Sequence, residues 1–114
     1  MTRYPITPVP APRQTRFSRF NPKHQPGIAR YQAFRDEVRA LGVRLPERPA
    51  IRFEFPVPKS GKARIGKPHQ QKPDLDNCVK ALLDAVHGDD AHVWAFSAEK
   101  RWAAEGAIVV GEMP

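Results

Sequence analysis

Asp74, Asp76, Asp84, Asp89 and Asp90 crowd into one short stretch of a chain whose formal net charge is +7. The stretch opens Lys72-Pro73-Asp74-Leu75-Asp76-Asn77, continues through Lys80 and Asp84-Ala85, and ends on the Asp89-Asp90 pair. Most of the basic residues lie in the segments around it. Carboxylates gathered inside a positive protein suggest a divalent cation held where a polyanion would land. That combination suits metal-assisted hydrolysis of a phosphodiester.

The spacing supports a shared face. At about 100° per residue, Asp76, Lys80 and Asp84 fall within about 80° of one another on a helix. Asp74 lies just before that helix and can turn back toward them. Asp90 follows a tight turn and can approach from the side. A plainer reading also exists, in which Asp76 caps the helix for ~1 kcal/mol and pairs with Lys80 for ~0.3–0.5 kcal/mol. Two carboxylates about 6 Å apart at an effective dielectric of about 20 repel by ~3 kcal/mol. If Asp74, Asp76 and Asp90 converge, capping and one lysine scarcely offset that repulsion, whereas Mg²⁺ or Mn²⁺ would. Hard oxygen donors without a His or Cys cluster fit those ions rather than zinc.

The elements that must carry these groups follow from periodicity. With 114 residues the chain forms a single domain, 1–114, with one modest core. Thirteen prolines are too many for an all-helical bundle. Residues 3–10 are held extended by Pro5, Pro8 and Pro10 and can supply an edge strand. Ile28, Tyr31, Phe34, Val38 and Leu41 recur at helical spacing, and Gly42 ends the run. Ile51, Phe53, Phe55 and Val57 alternate with polar or turn residues as a half-buried strand. A second helix is predicted from about Asp76 to His87, with Val79, Leu82, Leu83 and Val86 as its buried stripe and Gly88 as its stop. Val93 to Phe96 reads as a strand, and Ile108-Val109-Val110 as the last one. The order strand, helix, strand, helix, strand, strand predicts an α+β fold: a small mixed sheet of about four strands with two packed helices.

Charge and composition limit the partners. A pI near 10.1 favours a polyanion. Arg13, Arg16, Arg19 and Lys23 interleave with Phe17 and Phe20, a pattern that can hold phosphates and stack on bases, or simply pack its two rings and solvate its charges. Residues 58–72, with Lys59, Lys62, Arg64, Lys67 and Lys72, form a basic, mobile loop directly before the acidic motif. Cys78 is the only cysteine, which excludes an internal disulfide, and its mid-helix place makes it a small core residue. No apolar run approaches a membrane span and no signal sequence follows Met1, so a cytoplasmic protein is expected. The spacing of His69, His87 and His92 gives none of them a role.

At the acidic motif the chain resembles the RusA family of Holliday junction resolvases, crossover junction endodeoxyribonucleases of bacteria, phages and prophages. The carriers are Asp74-Leu75-Asp76-Asn77, Lys80, Asp84-Ala85 and Asp89-Asp90, with Phe55-Pro56-Val57-Pro58-Lys59-Ser60 and Gly66-Lys67-Pro68-His69 as in phage-type members. The likeness is dense over residues 51–96 and diffuse before them. It implies a homodimer that binds branched DNA and makes paired, symmetric Mg²⁺-dependent nicks with 5′-phosphate ends. Asp74, Asp76 and Asp90 would hold the metal and Lys80 would be the essential lysine. The ion would activate a water and stabilise the pentavalent phosphate, and Lys80 would neutralise growing charge or orient the water. Asn77 would support the helix start, and Asp84 would back the site or pair with Lys80. Arg13, Arg16, Lys59, Lys62, Arg64, Lys67 and Lys72 are the candidate phosphate contacts.

One departure bears on activity. Family members carry about four or five more residues between the Asp-Ala and Asp-Asp elements, where this chain has only Val86-His87-Gly88. The shortened turn could bring Asp89 rather than Asp90 to the metal. Two other readings therefore stand beside the nuclease: a catalytically impaired junction- or DNA-binding protein of the same fold, and a basic structural or regulatory protein whose Asp-x-Asp is a helix cap.

Overall fold

The computed structural model describes residues 1–12, 26–88 and 93–114. Among them six elements run in chain order: β1 (Thr2–Tyr4), α1 (Pro26–Ala40), β2 (Pro49–Pro56), α2 (Leu75–His87), β3 (Ser97–Ala103) and β4 (Ala107–Glu112), with a 3-10 turn at Lys62–Arg64. The sheet order is β1-β4-β2-β3. β4 pairs antiparallel with both β1 and β2, and β2 pairs parallel with β3. A parallel pair needs a crossover, and α2 supplies it. The expected α+β arrangement of two helices on a four-stranded mixed sheet is the one found.

Burial follows the pleat. Ile51, Phe53 and Phe55 of β2 and Ile108 and Val110 of β4 point to one face and join the core beneath the helices. α1 adds Phe34 and Val38, and α2 adds Cys78, Val79, Ala81, Leu82, Leu83 and Ala85. The buried surface of α2 is broader than the stripe expected for it, because this helix contacts both α1 and β3. Small Ala81 and Ala85 let it approach them closely. Val86, by contrast, is only half-buried.

The helix ends carry their own signals. Gly42 has φ 65°, its N–H donates to Arg39 O, and Val43 N–H reaches back to Val38 O. This pair of bonds closes α1 in a Schellman motif, with Val38 and Val43 both buried at the turn. Leu41, expected in the apolar stripe, is instead exposed, since the glycine turn hands its place to Val43. Gly88, with φ 80°, ends α2 by donating to Asp84 O.

The strand expected at 93–96 is a correction. Those residues form no strand, and Trp94 and Phe96 are exposed. The third strand begins at Ser97 and consists of Ser-Ala-Glu-Lys-Arg-Trp-Ala. Its helix side carries Ala98, Lys100 and Trp102, and its other side Ser97, Glu99, Arg101 and Ala103. On that second side Arg3 pairs with Glu54, Arg52 Nε donates to Glu99 at 2.8 Å, and Arg101 lies 3.3 Å from Glu99. Cross-strand charge pairing thus occupies a face that apolar residues would otherwise mark.

Gly106 sits where the β3–β4 turn meets the N-terminal segment. A Cβ there would stand 2.8 Å from Thr7 Cβ and 2.9 Å from Thr7 Cα. Backbone cannot yield as a side-chain tip can, so Gly106→Ala is expected to destabilise the fold by about 1–3 kcal/mol in urea unfolding. An unchanged midpoint would mean that the Thr7 segment moves freely.

Candidate active site

The approach to the acidic motif is built along the free edge of β3. Gly66 N–H donates to Trp102 O, Trp102 N–H to Lys67 O and His69 N–H to Lys100 O, at 2.8, 3.0 and 3.0 Å. A bridge between Pro68 and Arg101 lies among these bonds. Residues 58–72, expected as a mobile loop, thus hold a 3-10 turn and a stretch hydrogen-bonded to β3 that covers its open edge. His69 is the anchor. Its ring is buried, stacks on Phe55 at 4.4 Å and lies 4.3 Å from the Trp102 ring.

Burial, and then the charge of Lys100, lower the His69 pKa below 6.5. The unfolded chain therefore binds more protons than the folded one between that lowered value and 6.5, and stability rises with pH across the window. The stabilisation is complete above the window and lost below it. The thermal midpoint is expected to fall on acidification from about pH 7.5 to about 5.5, and His69→Phe should reduce the fall by keeping the ring stack without a proton site. An equal fall in both proteins would place the acid sensitivity elsewhere.

From His69 the chain runs to Lys72, Pro73 and Asp74. Lys100 reaches up from β3, and its Nζ donates to Gln71 O and Pro73 O, each at 2.7 Å. Asp74 is the N-cap residue of α2 with extended backbone, but its carboxylate makes no capping hydrogen bond and instead accepts from Lys72 Nζ at 2.9 Å. Asp76 follows in the first turn, exposed, with Oδ1 accepting from Asn77 N–H. The plainer reading of Asp76 as the helix cap is thereby replaced: Asp74 holds that position.

One turn further, Lys80 Nζ lies 3.2 Å from Asp84 Oδ2. Tyr31 of α1 donates its hydroxyl to the same oxygen at 3.4 Å. Burial and the Asp84 charge raise the Tyr31 pKa, so its proton stays in place. Asp84 therefore orients Lys80 from behind while α1 steadies Asp84. Cys78, buried between these turns, has its thiol pushed up to about 11 and is a core residue, as its position implied.

Beside Asp74 opens a groove of about 820 Å³. One wall is the extended Thr7–Pro12 segment, tied to α2 by Ala11 N–H donating to Asn77 O. Arg30, Lys72, Pro73 and Asn77 complete its rim. Arg30 carried no sequence signal beyond its place on an exposed helix face. Lys59, Lys62, Arg64, Lys67 and Lys72 are all exposed. Arg64 lies over the Trp102 ring at 5.7 Å. Arg13 and Arg16 lie outside the described residues.

Asp74 and Asp76, at the start of α2, are hard oxygen donors of the kind a divalent cation takes. Among the described residues no group of three or more His, Cys, Asp or Glu side chains could hold a metal. Asp89 and Asp90 lie outside the described residues, so the expected third ligand does too. The residues brought together are Asp74, Asp76, Lys80 and Asp84 along one helix, with Lys72 and Lys100 at its approach.

No helix among the described residues is long and apolar enough to cross a membrane. No curated protein gives a significant match to the chain. The family model Endodeoxyribonuclease RusA matches residues 5–111, nearly the whole length and every element that carries the site. The chain belongs to the RusA family of endodeoxyribonucleases, the Holliday junction resolvases.

Proposed function

We propose that this resolvase cuts four-way DNA junctions by Mg²⁺-dependent hydrolysis, as a homodimer making paired symmetric nicks that leave 5′-phosphate and 3′-hydroxyl ends. The observation that carries the reading is the order of charge along α2. Asp74 and Asp76 stand at its start, and Lys80, held by Asp84, follows one turn on. The acids lie beside a groove rimmed by Arg30 and Lys72.

Asp74 and Asp76, joined by Asp90 from the shortened turn, would hold the cation, with Mn²⁺ as an effective substitute. When bound there, the ion would supply Lewis-acid stabilisation of the phosphoryl oxygens and would acidify the attacking water. Lys80 presents an ammonium to the charge that grows on those oxygens, and Asp84 with Tyr31 keeps it aimed. Lys59, Lys62, Arg64, Lys67 and Lys72 neutralise neighbouring phosphates. Two copies of the site, one per protomer, account for paired nicks. The enzyme works on DNA, and we place it in the cytoplasm with its substrate.

The test is a synthetic mobile four-way junction incubated with Mg²⁺ beside a linear duplex of the same sequence. Paired nicks on the junction that a ligase can seal are expected, with the duplex left intact. Tight junction binding without nicks at any metal concentration would show that the shortened turn has left a binding protein. Binding should also be steeply salt-dependent. With log K falling by about 0.9 per phosphate for each tenfold rise in salt, five contacts lose about 10²–10³-fold affinity between ~50 and ~200 mM. A flat response, measured by fluorescence anisotropy, would remove the 59–72 lysines and arginine from the interface.

A further inference from the structure

We infer that Lys100 is a positioning residue of the reaction, a tether that fixes the backbone from which Asp74 reaches its cation. The inference rests on the proposed role of Asp74 as a metal ligand. Lys100 lies opposite Phe53 in the β2–β3 register, on the side of the sheet that faces the core, where its neighbours Ala98 and Trp102 are apolar. A lysine there gives up hydration, and its charge needs strong partners. It finds them in the Gln71 and Pro73 carbonyls, each 2.7 Å from Nζ. Its own carbonyl accepts from His69 N–H at 3.0 Å. One residue thus grips the approach to the motif at three points, residues 69, 71 and 73.

The last grip matters most. The Pro73 carbonyl belongs to the planar peptide that joins Pro73 to Asp74, so holding it fixes the plane from which the Asp74 backbone departs. At its other end the Asp74 carboxylate accepts from Lys72 Nζ at 2.9 Å, so backbone and side chain are each held by a lysine. Hydrogen bonds from an ammonium are about twice as strong as neutral ones and tolerate little displacement. A metal site needs its ligands held to within about 0.5 Å, and partners behind the ligands commonly supply that restraint. Both 2.7 Å hydrogen bonds of the Lys100 ammonium go to backbone carbonyls of the approach. It acts through the loop.

The experiment compares wild type, Lys100→Met and Lys100→Gln. Mn²⁺ affinity is read by electron paramagnetic resonance of the free ion, alongside thermal unfolding and junction binding in EDTA. Lys100→Met is expected to weaken Mn²⁺ binding and raise the metal midpoint for cleavage by about 10–100-fold. Lys100→Gln, which keeps one amide donor, should weaken Mn²⁺ binding by about 3–10-fold. Junction binding in EDTA should stay within about twofold for both. Either folded variant binding Mn²⁺ as tightly as wild type would overturn the inference. Loss of a cooperative thermal transition in both variants would overturn it in favour of a purely structural tether. If wild type itself binds no Mn²⁺, the metal-site reading is what fails, and the two failures are distinguishable.

Discussion

Asp74→Asn should cut a four-way junction at least ~10³-fold more slowly than wild type while binding it slightly more tightly. The replacement keeps the shape of the side chain and one oxygen acceptor, so Lys72 retains a partner at the 2.9 Å position. Folding should scarcely notice. The Asp74 carboxylate makes no capping hydrogen bond, and asparagine is as good an N-cap as aspartate. The lost charge at the helix start is worth about 0.3–1 kcal/mol. Cleavage is different, because in the proposed site the change would remove an anionic metal ligand rather than a group behind one, and loss of the latter already costs about 10–100-fold. Binding moves the other way. A carboxylate about 6 Å from a phosphate in water repels it by ~0.7 kcal/mol, so its removal tightens binding in EDTA by about threefold. Single-turnover cleavage and gel shift on the same preparation check both signs. Cleavage within tenfold of wild type would place the chemistry elsewhere, and looser binding would make Asp74 a structural residue.

The fold was legible wherever one residue's neighbours are local in sequence. Phe34 and Val38, or Val79 and Leu82, declare a helix because a 3.6-residue period brings them to one side whatever the rest of the chain does. Ile51, Phe53 and Phe55 declare a strand for the same reason. β3 made no such declaration. Its Glu99, Lys100 and Arg101 give no apolar alternation, and it is a strand because β2 offers a parallel partner along its whole length. The aromatic residues just before it, Trp94 and Phe96, imitate the missing signal from an exposed stretch.

The site divides along the same line. Asp76, Lys80 and Asp84 were legible because helical spacing alone aligns them, with Asp74 just before the helix, and the Lys80–Asp84 pair is found at 3.2 Å. Lys100 and His69 were invisible, since what gives each its importance lies across the sheet. Lys100 reads as one more basic residue until the Gln71 and Pro73 carbonyls are seen beside it. His69 reads as a loop histidine until Phe55 and Trp102 close on its ring.

Lys80→Met separates a lysine that binds DNA from one that assists bond breaking. Methionine keeps much of the aliphatic stem, so packing along α2 is little changed. The ion pair that it deletes is half exposed, at 55% and 18% for the two side chains. Pairs of this kind contribute about 0.3–0.5 kcal/mol, too little to unfold the helix. Asp84 keeps the Tyr31 hydroxyl as a donor after the change. The chemical step should suffer far more. An ammonium aimed at charge that develops only as the phosphate is attacked is worth about 10²–10³-fold in rate, and little of that appears in ground-state binding. The single-turnover rate should therefore fall by that factor, while junction affinity changes no more than the few-fold expected for one phosphate contact. Mn²⁺ affinity should stay near the wild-type value, which distinguishes this variant from Lys100→Met, where the metal midpoint moves. Tyr31→Phe adds a graded control, because Asp84 then aims Lys80 with one restraint fewer and a loss of up to about tenfold is expected. If Lys80→Met instead cuts at the wild-type rate once saturated with junction, Lys80 is a docking residue. The charge that stabilises the transition state must then come from the metal and the basic approach alone.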